Sequence, residues 1–124
     1  MFKETGMSIQ YEIKNMTEFQ ELLNTNPGCI FIKFGAEWCV PCNKIKDFVL
    51  ERFEALSSDT VKCIVIDVDE SFEVYAHLKN KRMISGIPAI LKYCQGNTSF
   101  IPDKICSGIN RTEIANILNI EGDV

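Results

Sequence analysis

The sequence is short of several things at once. It contains one histidine, so no H-x-x-x-H pair can assemble a metal site, and it has no second C-x-x-C to complete four zinc ligands beside Cys39 and Cys42. It has no surplus of positive charge: the formal net charge is -4, which gives nucleic acid no electrostatic reason to bind. No stretch approaches the ~18 uncharged apolar residues needed to cross a bilayer, and the opening MFKETGMSIQ has mixed charge and no apolar signal core. Repeats, low-complexity tracts and linkers are also missing. The expectation is one domain over residues 1–124, with residues 1–7 as a tail, in a soluble cytoplasmic monomer with neither membrane nor nucleic-acid partners.

Cysteine is present, and its placement is informative. Besides Cys39 and Cys42, the chain has Cys29, Cys63, Cys94 and Cys106, scattered through apolar runs without the density of a secreted disulfide scaffold. That usage suits a reducing compartment. Cys29 and Cys63 read as small core residues. Cys94 and Cys106 fall nearer strand ends, where oxidation to a regulatory disulfide or a dimer link is the alternative to inert thiols.

The pattern of apolar residues alternates between strand and helix periods. SIQYEI reads as an edge strand and MTEFQELL as a short helix capped by Asn15 or Thr17. CIFIKF is almost continuously apolar, as in a strand buried on both faces, and it runs into EWCVPCNKIKDF. Ile45, Phe48, Val49, Phe53 and Leu56 then recur at helical spacing, predicting a helix from about Pro41 to Leu56. VKCIVIDV is a further strand, residues 70–82 a further helix ending in Lys79, Lys81 and Arg82, and GIPAILKYC a strand with proline near its start. FIPDKICSG is a weak edge strand, and Asn110 opens a last helix with Glu113 as its capping partner. This order predicts an α/β domain: a mixed central sheet of about five strands flanked by about four helices.

The two closely spaced sulfurs stand at the doorway of a helix. Free backbone amides and the positive end of the helix dipole there favour thiolate over thiol. Pro41 fits the first turn, where its missing N–H costs nothing. Cys39 is expected just outside the helix and exposed, Cys42 one turn in and more buried. That asymmetry suits an attacking and a resolving sulfur: Cys39 thiolate opens a partner disulfide, and Cys42 then releases the partner and closes the ring.

FGAEWCVPC, followed by VIDVDE and then GIPAILKY, resembles the thioredoxin family over nearly the whole chain and in the same order. The resemblance implies a protein-disulfide reductase with Cys39 as nucleophile and Cys42 as resolver. It implies that Trp38 shields the pair, that Pro88 follows a cis peptide bond facing the sulfurs, that Ile87 offers its backbone to a substrate strand, and that Gly108 borders the substrate's other side. No bound cofactor is implied; electrons would come from an external reductase, flavoprotein-linked, or from glutathione, and the partners would be proteins carrying disulfides.

The departures carry information too. Lys33 stands where the family usually has a buried aspartate, Gly35 where an aromatic residue is common, and Val40 where glycine usually separates the cysteines. An ammonium at position 33 beside the sulfurs would stabilise thiolates and make the pair more oxidising; the alternative is that Lys33 reaches its ammonium to water. Two further readings therefore stand beside the reductase: a more oxidising exchange catalyst of isomerase or oxidase type, and a non-catalytic binding module using the Pro88 face.

Overall fold

A computed structural model describes residues 9–120. Its elements in chain order are α1 (Met16–Asn24), β1 (Cys29–Gly35), α2 (Val40–Leu56), β2 (Val61–Asp67), α3 (Phe72–Asn80), β3 (Ala89–Cys94), β4 (Lys104–Ser107) and α4 (Arg111–Ile117). The four strands form one mixed sheet in the order β2-β1-β3-β4, with β1 parallel to β2 and antiparallel to β3, and β3 antiparallel to β4. Every residue of β1 is buried. Its place inside the sheet, with helices on both faces, explains why CIFIKF shows no polar alternation.

Alternation along the strands divides the interior in two. Ile30, Ile32 and Phe34 of β1 meet Phe19, Leu22 and Leu23 of α1 and Val74 and Leu78 of α3. Cys29 and Phe31 face the other way, onto Ile45, Val49 and Phe53 of α2 and Ile114 and Ile117 of α4. Fully burying each of these large apolar side chains is worth about 1.5–3 kcal/mol, so the two layers hold the helices against the sheet far more firmly than local propensity could.

The helix starts follow the expected chemistry. Asn15 caps α1, accepting the Glu18 N–H at 2.9 Å, and Asn110 caps α4, accepting the Glu113 N–H at 3.0 Å. The helix expected over residues 70–82 is shorter, and the segment carrying Lys81 and Arg82 turns out of it, with Arg82 at φ 64°.

One expected strand is not formed. Among its described residues, SIQYEI contributes a single parallel bridge, Gln10 to Ile64, beside the β2 edge. Just beyond this segment the chain enters the α1 cap, where Lys14 N–H donates to Glu18 Oε1 at 2.7 Å and Asn15 accepts the Glu18 N–H. The expected tail, residues 1–7, lies outside the described residues. No helix among the described residues is long and apolar enough to cross a membrane.

Candidate active site

Where β1 ends at Gly35, the chain leaves the carboxyl end of this interior strand and enters α2 at Val40. Cys39 is the N-cap of that helix: its backbone is extended, and its Sγ accepts the Cys42 N–H at 3.2 Å. Pro41 occupies the first turn, where no N–H is needed. Cys39 and Cys42 are joined as a disulfide, with Cα atoms 5.2 Å apart. The loop before them is held by the Cys39 N–H on Ala36 O at 3.2 Å and by Asn43 Nδ2 on Glu37 O at 3.0 Å.

Two opposed segments complete the surface around the sulfurs. The Ile87–Pro88 peptide bond is cis, and the Ile87 carbonyl oxygen lies 3.9 Å from Cys39 Sγ. Gly108, at the end of β4, donates its N–H to Pro88 O at 3.0 Å, bringing Ile87, Pro88 and Gly108 to one side of the disulfide. Trp38 and Val40 flank Cys39 in the chain and are 67% and 64% exposed, so an apolar rim faces solvent. Asp69 Oδ2 accepts the Trp38 Nε1–H at 2.7 Å, and the Asp69 N–H is itself fixed on Asp67 Oδ1 at 2.8 Å.

The expected exposure of Cys39 is corrected: it is 5% exposed against 2% for Cys42. The disulfide to Cys42 and the Ile87 carbonyl overhead cover its sulfur, so the asymmetry between the two lies in position along the helix rather than in burial.

Lys33 does not reach for water. Alternation sets it on the α2 face of β1, and it is only 6% exposed, without a hydrogen-bond or salt-bridge partner among the described residues. A Cβ at Gly35 would lie 3.4 Å from Cys42 Sγ and 4.0 Å from Lys33 Nζ, so sulfur and ammonium flank the space that glycine leaves. That space belongs to a cavity of about 410 Å³ lined by Lys33, Gly35, Cys42, Lys46, Asp67 and Glu70 among others. Burial, and then the neighbouring Lys46 ammonium, hold the Lys33 pKa below the ordinary lysine value.

Asp69 and Lys46 were not singled out from the sequence. Lys46 follows Cys42 by one helical turn, a spacing that places it on the same side of α2; Asp69 sits in the VIDVDE segment, with no local signal that it would meet Trp38. No group of three or more His, Cys, Asp or Glu among the described residues is placed to hold a metal ion.

Comparison with known proteins agrees with this geometry. The sequence model of the thioredoxin family matches residues 10–119. Thioredoxin 3 of Plasmodium falciparum is 31% identical over 113 residues, covering 90% of this chain and 59% of its own length. The chain thus spans little more than half of that relative. Among solved structures, oxidised mitochondrial thioredoxin 3 from Saccharomyces cerevisiae superposes with a TM-score of 0.70 at 24% identity, over 97% of this chain and all of that one, a likeness of fold. A Plasmodium falciparum thioredoxin superposes with a TM-score of 0.61 at 28% identity, covering 88% of each chain.

Proposed function

The chain belongs to the thioredoxin family, and from that premise we propose that it reduces disulfides in partner proteins by dithiol–disulfide exchange. The observation that carries the reading is the Cys39–Cys42 disulfide at the N-cap of α2, with the Cys42 N–H aimed at Cys39 Sγ. In the reduced protein that N–H and the helix dipole stabilise a Cys39 thiolate. The thiolate attacks one sulfur of a partner disulfide and expels the other partner sulfur, which takes up a proton. Cys42 then loses its proton, attacks Cys39 Sγ and expels the second partner sulfur, so two electrons pass to the partner and the ring closes. No bound cofactor takes part in either step. The electron donor that reopens the ring is an external reductase or glutathione.

Trp38, Val40, Ile87, Pro88 and Gly108 frame the place where the partner segment lies. The Ile87 carbonyl and the rim on Trp38 and Val40 offer it backbone pairing and apolar contact. A monomeric state and a reducing, cytoplasmic setting belong to the same proposal.

Lys33 supports a second reading of the same chemistry. Its ammonium faces Cys42 across Gly35, where it would favour thiolates, stabilise the reduced form and raise the potential toward that of an exchange catalyst. A redox titration in glutathione buffers, followed by Trp38 fluorescence and thiol counting by mass, separates the two. A midpoint near roughly −270 mV marks a reductase, and one higher by roughly 60 mV or more marks an isomerase-like or oxidising catalyst. Failure to form the disulfide at any poise would leave only a binding module. For Lys33 itself, an unchanged midpoint in Lys33→Asp would remove it from the mechanism.

A further inference from the structure

Cys29 opens β1 and Cys94 closes β3, and the antiparallel register sets their Cα atoms directly opposite each other. The kind of pair matters. One step outward, Gln95 N–H donates to Gly28 O at 2.9 Å, while Cys29 N–H points away from β3 and donates to Thr60 O at 3.0 Å. Because the two kinds of pair alternate along an antiparallel ladder, Cys29 and Cys94 form a non-hydrogen-bonded pair. The Cys94 N–H accordingly turns away, donating to Asp103 Oδ2 at 2.7 Å.

In such a pair the Cα atoms come to about 4.5 Å and the side chains converge on one face. That lies within the roughly 4.4–6.8 Å that disulfides span. Accessibility divides the roles: Cys29 is buried, whereas Cys94 is partly exposed. Both carry thiols in this structure.

Neither of the other two cysteines stands directly opposite Cys29 or Cys94 in the register. Cys63 is opposite Phe31 rather than Cys29, and burial, then the proximity of Cys29, pushes its thiol up to about 12. Cys106 is opposite Ile90, four residues along β3 from Cys94. A link between Cys94 and Cys106, one of the outcomes considered from sequence, therefore has no register to support it.

We propose that Cys29 and Cys94 form a second dithiol–disulfide couple, closed by exchange with a low-molecular-weight disulfide such as glutathione disulfide. The Cys94 thiolate attacks one glutathione sulfur, forming a protein–glutathione disulfide and breaking the glutathione S–S bond; the released glutathione thiolate takes up a proton. Cys29 then loses its proton to solvent and attacks Cys94 Sγ, expelling the second glutathione thiolate, which is protonated in turn. Two protein thiols are oxidised by two electrons, and one glutathione disulfide becomes two glutathione thiols. The couple lies at the amino end of β1 and the Cys39–Cys42 disulfide follows its carboxyl end, so neither assignment depends on the other.

The test is disulfide mapping. The full chain is equilibrated with glutathione disulfide, quenched in acid, blocked with N-ethylmaleimide, digested without reduction and read by mass spectrometry. The expected product is a Cys29 peptide joined to a Cys94 peptide, two hydrogens lighter than the separate thiol peptides and reversed by dithiothreitol. In Cys29→Ala, Cys94 is expected to stop at the glutathione adduct. The proposal is overturned if Cys29 and Cys94 both carry maleimide in protein whose Cys39–Cys42 pair is fully oxidised. It is overturned equally if Cys94 of the unsubstituted chain is found joined to Cys63, to Cys106, to another copy of the chain or only to glutathione.

Discussion

Gly108 donates its N–H to the Pro88 carbonyl oxygen at 3.0 Å while holding φ at 98°. This bond ties the residue after β4 to the cis peptide ahead of β3, whose Ile87 carbonyl lies beside Cys39 Sγ. No heavy atom lies within 4 Å of where a Cβ at 108 would sit, so a methyl group there meets only the torsional penalty. Gly108→Ala should cost about 1–2 kcal/mol in urea unfolding. If a partner chain passes over this glycine, the same variant should raise KM for a protein disulfide more than it lowers kcat; an unchanged KM would move the substrate path elsewhere.

Lys33 makes stability depend on alkaline pH. Because its folded-state pKa is depressed from 10.5 by burial and then by Lys46, the folded protein binds fewer protons than the unfolded chain in the window between the lowered value and 10.5. The unfavourable contribution is therefore fully present below that window and is relieved as pH rises through it. Lys33→Met keeps the stem and removes the charge. The variant should be more stable than the parent by about 1 kcal/mol at neutral pH, and the gap should close toward pH ~10.5. Urea midpoints for both proteins at neutral and alkaline pH would show it; a gap independent of pH would mean that the ammonium is not the cause.

The two sulfurs should fail differently. Cys39→Ser removes the attacking group, and disulfide reduction should fall by about three orders of magnitude, the scale on which loss of a nucleophile acts. Cys42→Ser leaves the attack intact and blocks release, so it should accumulate a mixed disulfide through Cys39 that intact-mass measurement can count. If Cys39→Ser trapped the partner instead, the roles would be reversed.

Gly28 is required by close approach rather than by an unusual torsion. A Cβ there would come within 2.6 Å of the Thr60 carbonyl oxygen, the same oxygen that accepts the Cys29 N–H at 3.0 Å. Gly28→Ala must push β1 away from the start of β2, and a loss of about 1–3 kcal/mol is expected. Thermal or urea unfolding would reveal it without any assay of activity.

The local grammar was readable from residues 9–120: the strand runs CIFIKF and VKCIVIDV, the helical stripe after Pro41, the Asn15 and Asn110 caps and the W-C-V-P-C motif. Each depends on neighbours within one or two turns, which periodicity records. SIQYEI alternates as an edge strand would, but of its described residues only Gln10 bridges β2, and the α1 cap at Asn15 follows two residues beyond its end.

The sequence by itself determined the α/β class and the cysteine pair at a helix start, because these follow from spacing and from backbone chemistry local to each residue; that Pro88 and Gly108 belong to the same site was implied only by the family resemblance. Only the tertiary structure decided which distant groups meet: Trp38 with Asp69, Lys33 with Cys42 across an unfilled Gly35, and Cys29 with Cys94 across the ladder. The reason is physical. Burial, cavity shape and strand register arise from packing between segments far apart in the chain, and a register shift of one residue would turn strand side chains such as Lys33, Cys29 and Cys94 to the other face.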